Sequence, residues 1–336
     1  MISRAHYARL VSLTAISLAV MFVAALSMGR YSMNPMDVLR VLYAAITGGT
    51  ASESMTIIVF RVRLPRVAAS LLIGAALSLS GAAYQSTFRN PLISPDLLGV
   101  SSGASVGAAF AILIGSSFRT IQVFAFAGGI LAVLIATGIP KLMRNSSNMM
   151  LVLSGIIVSG FMNAIIGIIK FVSREQDQLS SIVFWQMGSL ARVNTPQLFS
   201  VAPAILIGLG VMLAISWRLN ILSLGEQEAR TVGVDIPKLR GIAILCASLL
   251  TACSVCISGT IGWIGLIIPH FGRLIVGSDN AKLLPMAAML GGGFLLFIDT
   301  LARTVTSMEI PLSILSGLVG APFYAWLLYQ QKAKVL

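Results

Sequence analysis

The sequence predicts an all-α integral membrane protein, a tightly packed bundle of about ten transmembrane helices, and three observations predict it. Hydrophobic residues make up 57% of the chain and charged residues only 10%, against roughly a quarter charged in soluble proteins. The apolar residues gather into segments of about 20, the length a helix needs to cross the hydrocarbon core. Most of the 31 glycines, with many Ala and Ser, fall inside those segments, where small side chains let helices approach closely. Residues 1–336 therefore read as a single transmembrane domain, and the count to make is membrane crossings.

The first apolar segment, residues 10–29, follows Arg4 and Arg9 in the manner of a signal peptide. It is too long for a typical apolar signal region, and more spans follow, so it reads as a retained first span. Asn34-Pro35-Met36-Asp37, continuing through Val38 to Ile46, reads as a capped interfacial helix with Arg40 on its polar face. Further spans are expected at 67–87, 97–117, 121–140, 149–171, 197–217, 240–258, 261–276, 284–303 and 311–330. The eighth is short and interrupted by Pro269, which leaves nine spans or a re-entrant segment as the alternatives. Helix starts are marked by Ser94 before Pro95, Thr195 before Pro196, and Pro311. Gly103-xxx-Gly107 and Gly291-Gly292-Gly293 predict close helix contacts. A faint echo of spans two to five in spans seven to ten suggests an inverted duplication.

Residues 218–240 form a soluble-looking island between apolar stretches. Ser223-Leu224-Gly225-Glu226 has capping-box spacing, with a hydroxyl to satisfy an orphan amide and a carboxylate reaching back. Gly233 suits the left-handed residue past a helix end, so Glu226 to Val232, with Ala229 and Arg230, is expected to make a two-turn charged helix. Such a helix serves either as an ordinary capped turn or as a rigid handle on which a soluble machine pushes.

Charge placement orients the chain. With the N-terminus in the cytoplasm, the inner loops collect Arg89, Lys141, Arg144, Arg218, Arg230, Lys238, Arg240, Arg273 and Lys282. The same orientation leaves Arg30, Arg40, Arg61, Arg63 and Arg66 in one outer loop, against the positive-inside rule. Either lipid headgroups or an acidic partner outside would account for them.

Ionisable residues within the spans are scarce, which removes the carboxylate chain a proton or sodium relay would need. Asp299 and Arg303, four residues apart, are expected to pair on one helix face. Cys253-Ser254-Val255-Cys256 is formally CxxC but lies in an apolar span, where free cysteine behaves as a small hydrophobe. His270 has no second histidine or acidic cluster near it in sequence, so no zinc centre is expected. No GxxxxGK[ST] phosphate loop occurs, so if ATP drives this protein another chain hydrolyses it.

A set of motifs now carries a resemblance. Arg63-Leu64-Pro65-Arg66, Gly74-Ala75 through Gly81 to Gln85, Arg89-Asn90-Pro91-Leu92 with Pro95, and Leu98-Gly99 open the series. Trp185-Gln186-Met187-Gly188-Ser189-Leu190, Leu224-Gly225-Glu226 with Ala229 and Gly233, Gly262-Trp263-Ile264-Gly265-Leu266 into Pro269-His270, and Gly320-Ala321-Pro322 complete it. In this order, across nearly the whole chain, they resemble the FecCD-type permeases of type II ABC importers.

The resemblance implies a permease subunit with ten spans, no catalytic residue and no bound cofactor or metal, ATP and Mg belonging to partner ATPases. It implies a second permease copy in a homodimer, two cytoplasmic ATPase subunits, one periplasmic or extracellular substrate-binding protein, lipid around the bundle and no nucleic acid. It implies a bacterial or archaeal cytoplasmic (inner) membrane with both termini cytoplasmic. Residues 218–240, with Ser223, Glu226, Ala229, Arg230 and Gly233, map to the loop that couples to the ATPase. Asn90 and Leu92, with Asn148 and Met149, map to the inner gate; the stretch Asn145-Ser146-Ser147-Asn148 departs from the small hydroxyl residues expected there. Arg63, Arg66 and Arg303 map to arginines that meet glutamates of the binding protein. Cargo in such a family is a metal chelate, a ferric siderophore before haem or cobalamin, or more rarely an oxyanion such as molybdate. A proton- or ion-coupled secondary transporter is the rival reading, and it predicts buried acids along the spans. An intramembrane enzyme would instead require paired catalytic groups at membrane depth, and the sequence shows none.

Overall fold

The computed structural model describes residues 3–29, 31–49, 52–145, 147–173, 176–224 and 233–333. The helices are α1 (Arg4–Ser27), α2 (Pro35–Thr47), α3 (Glu53–Ile57), α4 (Leu64–Phe88), α5 (Val100–Leu113), α6 (Phe118–Leu142) and α7 (Asn148–Val172). They continue as α8 (Gln176–Met187), α9 (Thr195–Leu224), α10 (Ile236–Ser258), α11 (Ile264–Val276), α12 (Asn280–Thr304) and α13 (Leu312–Ala333). No strand occurs among the described residues. Among the described residues, seven helices are long and apolar enough to cross a membrane, and three shorter apolar helices, Val100–Leu113, Ile264–Val276 and Leu312–Trp326, match the remaining expected spans.

The bundle is organised around α4. Small residues populate every face of this helix, it is buried over nearly its whole length, and α9, α10, α11 and α12 pack around it. A helix apolar all round belongs in such a core. Contact is at backbone distance: a Cβ on Gly81 would overlap the Gly265 carbonyl of α11, and one on Gly291 would strike Ser78. Gly103 and Gly107 play the expected role against α6, where Cβ atoms would collide with the carbonyls of Gly128 and Phe124.

The chain enters α4 through a π-helical turn, Ile58–Arg63. Pro65 accounts for it, since a proline has no N–H to offer four residues back and its ring crowds that carbonyl. The widened turn lets the Leu64 amide bond the Val59 carbonyl instead. The interfacial helix reading matches α2, which the Asn34 side chain caps by accepting from the Met36 amide, with Gly48 left-handed at its end.

Three expectations need correction. Pro269 does not interrupt the eighth span, because α11 runs through it; the break lies upstream, where Gly259 and Trp263 have φ of 70° and 72°. The carbonyl that Pro269 leaves without its helical donor, that of Gly265, instead faces the Gln85 amide of α4 at 3.5 Å, with Leu266 at 3.2 Å. The cap of α9 is Asn194 rather than Thr195: Asn194 and Gln197 exchange backbone-to-side-chain bonds, each 3.1 Å. Finally, α8 had no counterpart among the expected elements, being short and rich in Gln, Asp and Ser.

The suggested duplication has a structural correlate. Helices α4 to α7 contain 25, 14, 25 and 25 residues, and α10 to α13 contain 23, 13, 25 and 22. Four crossings, α5, α6, α7 and α9, lie between α4 and α10, and because that number is even the second set runs in the opposite sense, as an inverted repeat requires.

Candidate functional site

At the end predicted to face the cytoplasm, the chain passes from α9 to α10 through the expected coupling segment. Glu226, Ala229 and Arg230 lie outside the described residues. Ser223 is not the expected helix cap: it occupies the last turn of α9, and its hydroxyl donates to the Leu219 carbonyl at 3.0 Å. A serine that back-bonds four residues inside a helix continues that helix. Gly233 has φ of 74°, the left-handed conformation its residue type suggested. The restart of the chain is set by Asp235, which accepts from the Lys238 amide at 3.0 Å with Pro237 in the first turn of α10.

A polar chain ties this end together, and sequence reasoning missed it. Asn220, near the start of the expected coupling segment and still within α9, donates to Asp279 at 2.8 Å and accepts from the Asn280 amide at 2.7 Å. Asn280 then accepts from Ser86 of α4 at 2.7 Å. The end of α9 is thereby bound to the start of α12 and the end of the central helix. The available signal was Asp279 ahead of an apolar run, an N-cap that accepts from the Ala281 amide.

The four residues expected at the gate share this end. Asn90 follows Arg89, a non-glycine residue at φ of 55°, and its side chain turns the loop by accepting from the Leu92 amide at 2.9 Å. Leu92 is 61% exposed. Asn148 and Met149 open α7 behind the Ser147 cap, and Met149 is 74% exposed. The two pairs are linked because α7 packs on the 3₁₀ turn Pro95–Leu98, where a Cβ on Gly155 would overlap the Leu97 carbonyl. The Asn148 side-chain oxygen is buried and has no hydrogen-bond partner.

At the end predicted to lie outside, the three arginines expected to meet a binding protein, Arg63, Arg66 and Arg303, are buried against this chain rather than exposed on its surface. They are 6%, 9% and 7% exposed. Arg63 donates to the carbonyls of Leu26 at 2.5 Å, Ser27 at 2.9 Å and Tyr31, and Arg303 to those of Met28 at 2.6 Å and Ala25. Both thus cap the carboxyl end of α1, where the helix dipole is negative. Arg66 lies between two acids, with contacts of 2.8 to 3.1 Å to both Asp299 oxygens and bonds of 2.8 and 3.0 Å to Glu309. The expected Asp299–Arg303 pair is present but secondary, at 3.6 Å. Asp299 is fully buried, and its main partner comes from another helix. Glu309 was not anticipated, and lone spacing carried no signal for it.

Helix α8 ends inside the bundle at the motif Trp185-Gln186-Met187-Gly188-Ser189. Its last carbonyls are satisfied from elsewhere: Gln186 by the Thr260 hydroxyl, Met187 by Ser313 at 2.7 Å, and Gly188 by the Leu312 amide at 3.0 Å. The Ser189 amide in turn donates to Ser258 at 2.7 Å. Three segments far apart in sequence, 185–189, 258–260 and 312–313, therefore meet here. A cavity of about 620 Å³ lies beside them, with Asp177, Arg192 and Glu309 in its wall.

Ten apolar helices, a half-length helix pinned between them and a charged segment between two long spans define a multi-pass membrane transport subunit. The chain belongs to the FecCD transport family, whose model matches residues 17–330. It is 40% identical over 319 residues to the molybdate import system permease protein MolB of Haemophilus influenzae, covering 94% of each chain. It is also 40% identical over 280 residues to a probable iron chelatin transport system permease protein of Helicobacter pylori, covering 83% of this chain and 85% of the relative. Among solved structures, an ABC transporter described as metal-chelate type, in an inward-facing conformation, aligns with a TM-score of 0.87 at 36% identity, covering 96% of this chain and 99% of the other. The chain is accordingly a permease subunit of an ABC importer, a transport component rather than a catalyst, with ATP hydrolysis on a separate chain.

Proposed function

We propose that two copies of this chain carry a metal chelate, a ferric siderophore first of all, inward across the cytoplasmic membrane by alternating access at their interface. The observation that carries this reading is the outer face of α7. Met149, Leu153, Ile156, Ile157, Phe161 and Ile168 are exposed along it, and no charged residue separates Asn148 from Lys170. A helix with such a face serves as the wall of a path that a second copy closes, offering a bulky complex little grip. The gate pairs stand at its inner end.

In this mechanism both termini are cytoplasmic and the ATPases press on residues 225–235. Movement there passes through Asn220 to α12 and α4, and through Asp235 to α10, so that inward-open and outward-open packings exchange. This chain needs no cofactor for that cycle; ATP and Mg act on the ATPases. With Arg63, Arg66 and Arg303 turned inward, docking of a substrate-binding protein falls to cations that remain exposed, Arg61 foremost.

The MolB likeness favours a second reading of the cargo, molybdate. Uptake by the permease–ATPase complex in proteoliposomes, loaded with the cognate binding protein, separates the two: ATP-dependent accumulation of ferric siderophore and not molybdate is expected. The interface has its own test. Single cysteines at Leu92 and Met149 should cross-link between copies in one nucleotide state and not another, and failure of both in every state would remove them from the path.

A further inference from the structure

A second cavity lies away from the proposed path. Helices α6 and α9 both pack on α10 and diverge from each other near their first turns, leaving a crevice of about 560 Å³. Its floor is formed by Cys253 and Cys256 of α10, buried free thiols, with Val201. One hydrogen bond spans the gap, from Gln122 of α6 to Ser200 of α9 at 3.1 Å. Its walls are Val123, Phe126 and Ala204, and exposed Arg119 stands at the mouth. Val123 and Phe199 are 64% and 67% exposed, so the flanks of the opening are apolar and face sideways out of the bundle.

We propose that this crevice holds one acyl chain of an anionic phospholipid whose headgroup phosphate is bound by Arg119. The depth fits: residues 119–126 run about 12 Å along the helix axis, within the roughly 15 Å of one leaflet's hydrocarbon. The charge fits as well. Arg119 lies in the first turn of α6, a turn without an acidic residue, where the positive end of the dipole repels a cation. An anion at the mouth answers both the guanidinium and the dipole. The polar side chains that line it beside Arg119 are already engaged, Gln122 with Ser200, and Asn194 and Gln197 with each other's backbone amides in the cap of α9. The CxxC spacing takes on a role here, because two small side chains one turn apart leave room that larger residues would fill.

The test uses the purified full-length protein titrated with palmitoyl-oleoyl phosphatidylglycerol and read by native mass spectrometry. One lipid should be retained more tightly than the rest, and Arg119→Glu should weaken that retention about tenfold, reversing a contact worth roughly one charge at a membrane surface. Val123→Trp, at an exposed position, should narrow the mouth and abolish retention without touching the core. A phosphatidylglycerol with a diazirine on its acyl chain should attach within residues 119–126 or 253–256. Unchanged retention in both variants, or attachment spread evenly around the bundle, would overturn the proposal. So would equal protection by glycerophosphate alone, which would make this an anion site without a chain.

Discussion

Replacing Asp299 by Asn keeps the size of the side chain and removes the one fully buried acid among three arginines. In the native structure its two oxygens face Arg66 at 2.8 to 3.1 Å and Arg303 at 3.6 Å. Removing one partner of a buried ion pair costs about 3–5 kcal/mol, because it leaves an uncompensated charge. Here Glu309 still holds Arg66, so a loss near the lower end, about 3 kcal/mol, is expected. Glu309→Gln should cost about 1 kcal/mol or less, since Glu309 is 28% exposed and solvent screens its pair. The double change Arg66→Met with Asp299→Leu should lose less than the sum of its parts, because two charges disappear together. Equilibrium unfolding in mixed detergent–SDS micelles, followed by helicity, gives these differences. If Asp299→Asn stays within about 1 kcal/mol of wild type, or the double change is simply additive, the ion pair between α4 and α12 does not stabilise the fold.

The coupling pathway predicts that Asn220→Leu, which severs the bonds to Asp279 and Asn280, leaves ATP hydrolysis by the complex intact while lowering transport per ATP. Gly233→Val should do the same by placing a β-branched residue at positive φ, a strain of about 1–3 kcal/mol; tightly coupled transport in both variants would dismiss this route. At the outer end, Arg61→Glu should weaken binding-protein affinity most at low salt. Arg66→Glu should instead reduce the yield of folded protein by setting a third acid beside Asp299 and Glu309. Equal effects on affinity from two well-folded variants would return docking to the buried arginines.

The fold was legible because hydrophobic length is a strong signal. Spans expected at 67–87, 121–140, 149–171 and 284–303 correspond to Leu64–Phe88, Phe118–Leu142, Asn148–Val172 and Asn280–Thr304. What escaped was short or polar: α8 lacks the apolar run that marks a span, and it is held by hydrogen bonds from residues over 70 positions away. Local caps were legible only in part. Asn34 was read correctly, whereas Ser223-Leu224-Gly225-Glu226 has cap spacing at a place where α9 continues through Ser223, since hydroxyl spacing alone does not distinguish a cap from a serine bonded backward into its own helix. Pro269 read as a break because the sequence does not reveal that Gln85, far upstream, faces the carbonyl it frees.

The outer arginines show why charge counting failed where it seemed most informative. Positive-inside reasoning treats each Arg in a short outer loop as a free cation, and on that basis Arg63 and Arg66 demanded an outside partner. The fold instead supplies them with internal acceptors. Arg63 meets the unsatisfied carbonyls at the end of α1, joined there by Arg303, and Arg66 meets Asp299 and Glu309 from α12 and the loop after it. A guanidinium suits both tasks, because its planar fork can bridge two carbonyls or face two carboxylates at once. Of the described arginines in that stretch, Arg40 pairs with Asp37 at 3.2 Å on the surface. Arg61, on the exposed side of the π-turn, is left to face outward. Residues two apart lie on nearly opposite sides of a helical turn, so with Arg63 buried against α1, Arg61 faces solvent. The carbonyls at the end of α1, by taking Arg63, therefore decide which arginine a partner could reach.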